Sequence, residues 1–169
     1  AYPADLDGEG DPIELAKART RTFRRAKRYY PSTPTVKDAS RVEQGFEDTD
    51  KRYYHVPCPH CGAFQIIEWA RIRWDEADDT VPAWLECVKG CRIEEYSKTE
   101  MLAGGEWRAT NPAKISDKVI GFHLSALYSP VGWYGWSDAR DDSRKAKGSV
   151  ALTKQFTNMV LGEICRESG

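Results

Sequence analysis

The stretch VPCPHCGAFQIIEW, residues 56–69, places Cys58 and Cys61 three positions apart, with two prolines and a glycine beside them. Proline and glycine in such positions are typical of a tight turn. A thioredoxin-like redox pair is expected to be followed by a helix. Here the residues after Cys61 alternate between apolar and polar side chains as a strand does, so the pattern disfavours the redox interpretation.

A second cysteine pair lies in LECVKGCRIEEY, residues 85–96, where Gly90 supplies the turn and another strand-like segment follows. Two cysteine pairs, each on a turn that leads into a strand, are typical of a zinc ribbon. In such a ribbon four thiolates complete the tetrahedral shell of one zinc ion. The sequence therefore predicts a structural Zn²⁺ site with four ligands: Cys58, Cys61, Cys87 and Cys91.

Two other residues are weaker candidates for this site. His60 lies inside the first turn, where its ring could replace a thiolate. Adjacent residues on a tight turn rarely aim at the same ion, so an outward direction is favoured for His60, but both alternatives stay open. Cys165 is far from either pair and is expected to be a lone thiol.

The segment between the pairs is expected to form short strands around an acidic turn, and it carries Trp69, Trp74 and Trp84. These rings could form a stacking surface for nucleic acid. The favoured interpretation is that they cap a small core, because indoles supply the apolar area that a small module lacks.

Composition limits the remaining possibilities. The chain has 169 residues, 40% of them hydrophobic, and a net charge of −1, so any contact with nucleic acid depends on a local patch. An apolar run long enough to span a membrane and a signal-peptide pattern are both missing, and we expect a soluble cytoplasmic protein without a membrane partner. The nucleotide-binding pattern GxxxxGK[ST] and the carboxylate cluster of a two-metal nuclease are missing as well.

The residues before the first pair predict a helix and then a basic segment. Asp11 is expected to cap the helix and Pro12 to occupy its first turn. The basic run that follows could contact phosphate groups or simply form a solvated helix face. Its candidate DNA-contacting residues are Arg21, Arg24, Arg25, Lys27 and Arg28.

Three further helices are predicted after the second pair. The first starts at Ser97, with Glu100 completing a capping box, and ends at Gly104. The apolar segment 118–130 is expected to be extended. The other two helices are predicted at 137–147 and 149–161.

Six stretches together resemble the large terminase subunit of tailed bacteriophages, in its lambda-type branch. They occur in the order that the family has them and span nearly the whole chain: AYP…GEGDPIELAKARTRTF, STPTVKDASRVEQGF, RYYHVPCPHCGAFQIIEW, GEWRATNP, GFHLSALYSP and FTNMVLGE. That family couples an ATPase, which drives DNA into the procapsid, to a nuclease that cuts the genome into units.

The resemblance implies an α+β middle segment of the large subunit, between the Walker B region and the nuclease. It implies the C-terminal part of a P-loop-type ATPase α/β domain, with the four-cysteine zinc ribbon inserted as a small antiparallel unit. The expected division is residues 1–50 for the ATPase part, 51–96 for the ribbon and 97–169 for a helical segment leading to the nuclease. The stretch STPT resembles the family's ATP-coupling motif, which implies coupling roles for Ser32, Thr33 and Thr35.

Cofactors and partners follow from the same resemblance. ATP and Mg²⁺ are implied only for the full-length parent, and Zn²⁺ for this segment. Double-stranded DNA, the small terminase subunit and the portal are implied as partners of an oligomeric motor, with this chain itself monomeric or part of that oligomer. A phage or prophage gene product in the host cytoplasm is expected.

A second class of function stays open at this point. Taken without the resemblance, the residues fit a free-standing, non-enzymatic zinc-ribbon adaptor that binds nucleic acid or protein. Since no residues here match the Walker A motif or the nuclease carboxylates, we expect no catalysis by this chain alone.

Overall fold

The computed structural model describes residues 8, 10–34, 40–116 and 118–165. Helices and short strands are mixed along the chain, which confirms the predicted α+β class. The α-helices are α1 (Pro12–Arg19), α2 (Arg41–Glu47), α3 (Lys98–Ala103), α4 (Trp136–Ala146) and α5 (Val150–Phe156), which a π-helical turn (Thr157–Leu161) continues. The strands are β1 (Arg52–Pro57), β2 (Phe64–Gln65), β3 (Ile72–Arg73), β4 (Trp84–Glu86), β5 (Arg92–Ile93), β6 (Glu106–Ala109) and β7 (Phe122–His123).

The first sheet is built around β1. Strands β2 and β6 pair with it antiparallel, and β7 pairs with it parallel. The register places Tyr54 opposite Trp107, and their ring centroids are 5.0 Å apart. This sheet joins strands from before and after residue 96, and the division of the chain at that residue stays a prediction.

The second sheet is the antiparallel set β3-β4-β5. Leu85 of β4 lies opposite both Ile72 and Ile93, and all three side chains are buried. Because side chains alternate between the two faces of a strand, the neighbouring Arg73 and Arg92 lie on the other face, where they are half exposed. This alternation gives the sheet one apolar face against the core.

Two of the three tryptophans between the cysteine pairs belong to the core. Trp69 and Trp74 stack with centroids 5.6 Å apart and pack against buried residues, which confirms the predicted role for them. Trp84 differs, because the guanidinium of Arg92 lies 3.9 Å from the centre of its ring. The larger buried side chains of the core are Trp136, Leu85, Ile93, Met101, Leu127 and Val56.

The helix starts were predicted with mixed success. The Asp11 carboxylate accepts a hydrogen bond of 2.8 Å from the amide of Ile13, as expected for a cap. The predicted capping box at Ser97 is not present, so this prediction is wrong. Ser97 has helical backbone angles and makes no side-chain cap bond, because a 3₁₀ turn (Glu95–Ser97) already leads into α3.

The two C-terminal helices lie within one residue of their predicted bounds. Helix α4 starts and ends one residue before its predicted range of 137–147. Helix α5 and its π turn together end at Leu161, and Gly162 follows with a φ of 67°, a left-handed conformation that favours glycine. Among the helices that the structure describes, none is both long and apolar enough to cross a membrane.

The segment 118–130 is less extended than predicted. It holds the two-residue strand β7 and then a 3₁₀ turn (Ala126–Tyr128). The turn forms because Leu127 and Tyr128 are drawn into the core, where both are buried.

Candidate metal centre

Two hairpins carry the four thiols. Cys58 follows the last residue of β1, and Cys87 and Cys91 bracket the turn between β4 and β5. Each turn is closed by a glycine amide: Gly62 N–H donates to the carbonyl of Cys58 and Gly90 N–H to that of Cys87, both at 2.8 Å. The two glycines have φ values of 71° and 85°, which side chains with a Cβ rarely adopt.

The turns bring the sulfur atoms together. All four Sγ atoms lie within 4.8 Å of one another, and those of Cys61 and Cys87 are 3.6 Å apart. Tetrahedral zinc with Zn–S bonds of ~2.3 Å needs sulfur atoms ~3.8 Å apart. The donor type, number and spacing therefore fit a zinc ion, with Cys58 and Cys87 buried and Cys61 exposed.

Neighbouring groups hold the second turn in place. The amide of Lys89 donates to the sulfur of Cys87 at 3.3 Å, and the amide of Val88 donates to the side-chain oxygen of Gln65 at 2.8 Å. A guanidinium N–H of Arg71 donates to the carbonyl of Cys87 at 3.4 Å. Gln65 belongs to β2, so its bond with Val88 ties one cysteine turn to the strand that follows the other.

The thiols differ in acidity. A hydrogen bond from the backbone of Ala63 is the largest cause that lowers the pKa of Cys61 to about 7. Hydrogen bonding to Cys61 is the first cause that raises the pKa of Cys91 to about 12, and burial raises the pKa of Cys87. At neutral pH the metal-free group therefore keeps protons that a bound cation has to displace.

His60 and Cys165 lie outside this group. His60 is exposed and is not among the four side chains whose donor atoms converge, nor is the partly buried Cys165. The outward direction favoured for His60 agrees with this placement.

The other predicted site residues that the structure describes are exposed or half-exposed. The hydroxyl of Ser32 donates to the carbonyl of Thr33 at 3.1 Å, and Thr33 is exposed. Thr35 lies outside the described residues. The five basic residues are exposed, and Arg28 donates to the hydroxyl of Thr20 at 2.5 Å. Their roles in coupling and DNA contact stay predictions.

A buried ammonium group at the start of α3 was not predicted. Lys98 is fully buried, and its Nζ lies 2.5 Å from a carboxylate oxygen of Glu95 and donates to the carbonyl of Ser129 at 3.0 Å. It also lies 4.9 Å from the centre of the Trp136 ring. The spacing of Glu95 and Lys98 suggests an ion pair, but no local pattern signals its burial.

Comparison with known proteins identifies the family. A family model described as the ATPase domain of the phage terminase large subunit gpA matches residues 1–107, which is more than half of the chain. The chain belongs to this family. The terminase resemblance inferred from the six sequence stretches is thereby confirmed.

Curated relatives extend the similarity over nearly the whole terminase segment. The large terminase subunit of Escherichia phage lambda is 26% identical over 185 residues, which cover 96% of this chain and 28% of the relative. That of Enterobacteria phage P21 is 25% identical over 196 residues, which cover 99% of this chain and 29% of the relative. The chain thus spans less than a third of the length of these relatives. No solved structure matches it significantly.

Proposed function

We propose that this chain is the coupling and zinc-binding segment of a phage DNA-packaging motor. The family match over residues 1–107 supports the proposal, since the matched range includes both cysteine pairs and the stretch STPT. It also favours the motor over a free-standing adaptor. In the proposed division, residues 1–50 complete a P-loop-type ATPase domain, 51–96 form the zinc ribbon and 97–169 lead toward the nuclease.

The proposed metal is a structural zinc ion held by Cys58, Cys61, Cys87 and Cys91. Four thiolates close the tetrahedral shell and leave no position for a substrate, so the ion serves the fold and not a reaction. The two thiol-bearing turns come from different sheets. The ion would therefore join the β1-β2 hairpin to the β4-β5 hairpin at one point.

The proposed coupling role belongs to Ser32, Thr33 and Thr35. In the full-length enzyme, ATP and Mg²⁺ are bound by residues that this chain does not contain. Hydroxyl groups on a turn can follow the departure of a terminal phosphate by exchanging hydrogen bonds. The exposure of Thr33 leaves its hydroxyl accessible for such a contact.

The proposed DNA contact lies in the adjacent basic segment. Arg21, Arg24 and Arg25 are exposed and form no ion pair with any described residue. Guanidinium groups in this state can neutralise phosphates of double-stranded DNA. The small terminase subunit and the portal are the proposed protein partners of the assembled, oligomeric motor in the host cytoplasm, encoded by a phage or a prophage.

The decisive experiment places Thr33→Ala and Thr35→Ala in the full-length large subunit, with Thr22→Ala as the control. A single hydrogen bond contributes about 0.5–1.5 kcal/mol, so nucleotide affinity should fall tenfold at most. ATP turnover and DNA packaging should become uncoupled, with packaging lost and turnover retained. Normal packaging by both variants, or a loss of folding in both, would show that these hydroxyls are structural.

A second measurement concerns the isolated chain. Without the Walker A motif and the nuclease carboxylates it should neither hydrolyse ATP nor cut DNA. ATPase activity that co-purifies with the chain and changes when residues of the chain are substituted would contradict the proposal that ATP is hydrolysed by residues outside this segment.

A further inference from the structure

A small cleft is lined by residues of β1, of the segment after β2, of β7 with the turn that follows it, and of the chain after α5. It encloses about 220 Å³, below the range of roughly 300–1,000 Å³ typical of pockets for whole small-molecule ligands. Its walls include three aromatic side chains, Tyr53, Trp69 and Tyr128. A cleft of this size and lining suits one side chain better than a cofactor.

Two carboxylates belong to the cleft lining. Glu68 is exposed and has only a long contact of 3.8 Å with Arg71, and Glu163 forms no ion pair with any described residue. Their charges act on the aromatic hydroxyls. After burial, Glu163 is the next cause that raises the pKa of Tyr53, and Glu68 contributes to the raised pKa of Tyr128.

The polar groups of the lining are mainly acceptors. The hydroxyl oxygen of Ser125 is buried and has no hydrogen-bond partner among the described residues. The Nε2 of His123 lies 3.2 Å from the carbonyl oxygen of Gly162 and must donate to it, because a carbonyl only accepts. Among the residues that the structure describes, no lysine or arginine lines the cleft. Its charge complement is therefore a cation with several N–H donors.

We propose that this cleft receives an arginine side chain from a protein partner. A guanidinium is planar, stacks on aromatic faces and carries five donors, enough in number for both carboxylates and the unpartnered hydroxyl of Ser125. Lysine lacks the planar surface, and the two carboxylates repel DNA phosphates. None of the described lining residues is a proposed zinc ligand or belongs to the stretch STPT.

The test uses the whole chain and three probes: N-acetyl-arginine amide, its lysine counterpart and its neutral citrulline isostere. Amide chemical shifts of Ile67, His123 and Ser125 report binding residue by residue. The arginine probe should shift these amides, the lysine probe less, and the citrulline probe should leave them unchanged. Glu163→Gln should weaken the arginine probe about fivefold, the upper range for an exposed ion pair.

Two further variants serve as controls for the probe titration. Glu100→Gln removes an exposed carboxylate of α3 outside the cleft and should leave the affinity unchanged. Ser125→Ala should weaken binding without reducing stability, because it removes a hydroxyl that is unpartnered in the free chain. Equal shifts from arginine and citrulline, shifts scattered over the surface, or none at the solubility limit of the probe would each overturn the proposal. If the same amides shift as the protein concentration rises without any probe, a second copy of the chain is the arginine donor. This outcome would also support the proposal.

Discussion

The hydroxyl of Tyr128 donates a hydrogen bond of 2.6 Å to the backbone carbonyl of Tyr54, which lies 74 positions earlier in the chain. The same oxygen accepts a bond of 2.8 Å from the buried amide of Ile67. One phenol thus joins β1, the segment after β2 and the 3₁₀ turn before α4. The sheet around β1 is held by this side chain as well as by its backbone ladders.

Replacing Tyr128 by phenylalanine should lower the free energy of unfolding by about 1–3 kcal/mol, because the buried amide of Ile67 loses its acceptor. Denaturant titration measures the change. Tyr29→Phe is the control, since that ring is 79% exposed and should cost almost nothing. Equal midpoints for the Tyr128 variant and the wild type would mean that the two bonds contribute nothing net.

The same residue predicts a loss of stability in alkali. Burial is the main cause that raises the pKa of Tyr128 from 10.0 to about 12. A raised pKa in the folded state contributes stability that is fully present below pH 10 and is lost as the pH rises toward 12. A two-unit shift corresponds to about 2–3 kcal/mol at most. The measurement is the wild-type stability minus that of Tyr128→Phe across this pH range, which isolates the contribution of this one phenol. A difference independent of pH would contradict the prediction.

The predicted zinc site is tested by measuring the zinc content of the purified chain and by removing the metal with a chelator. The purified chain should hold one zinc, and chelation should destabilise both cysteine hairpins, since structural zinc contributes on the order of 10 kcal/mol to small folds. Cys58→Ser and Cys87→Ser should abolish binding. Cys165→Ser should bind normally, because that thiol lies outside the converging group. Well under one zinc per chain in a folded protein would rule out the site.

The buried contacts of Lys98 with Glu95, Ser129 and Trp136 predict that different substitutions of Lys98 lower the stability by different amounts. Lys98→Ala should lower the free energy of unfolding by about 3–5 kcal/mol, because it leaves the Glu95 carboxylate without its cation and opens a gap under Trp136. Lys98→Met keeps the side-chain volume and should cost less. Lys145→Ala, at a side chain 73% exposed, is the control. If methionine costs as much as alanine, the charge and not the packing determines stability here.

The basic segment predicts a change in the salt dependence of DNA affinity. Removing one phosphate-binding side chain should reduce the slope of log K against log salt by about 0.9. Arg24→Gln and Arg25→Gln should therefore flatten the slope, measured with double-stranded DNA. Arg144→Gln is the control, because its guanidinium already pairs with Asp79 and Glu76. Unchanged slopes for the first two variants would remove this segment from the DNA interface.

Several features that depend on a few neighbouring residues were predicted correctly from the sequence. The cap at Asp11, the end of the last helix at Gly162 and the convergence of the cysteine turns all follow from residue types at short spacing. The short strands expected around the acidic turn are present, but β2 ends at Gln65, earlier than its apolar continuation through Ile66 and Ile67 suggests. Ile67 instead bonds to a phenol 61 positions away, which no short window can reveal.

Some site features also depend on distant contacts. Lys98 is a charged residue in a helix, and its sequence context predicts a solvated side chain. It is buried because Trp136 and Ser129, from after β7, close over it. The cleft beside β1 likewise combines residues from four separate segments, so neither its shape nor its charge could be foreseen.

The pairing of β1 with β6 has a consequence for the order of folding. The two strands are far apart in sequence, and the cysteine turns lie between them. In the zinc-bound form proposed above, the ion crosslinks Cys58 to Cys91 and shortens the loop that this pairing must close. Each halving of loop length lowers the entropic cost of closure by about 0.6 kcal/mol. Zinc that binds before the sheet forms should therefore speed its assembly, which makes the rate of refolding, and not only its endpoint, depend on free metal.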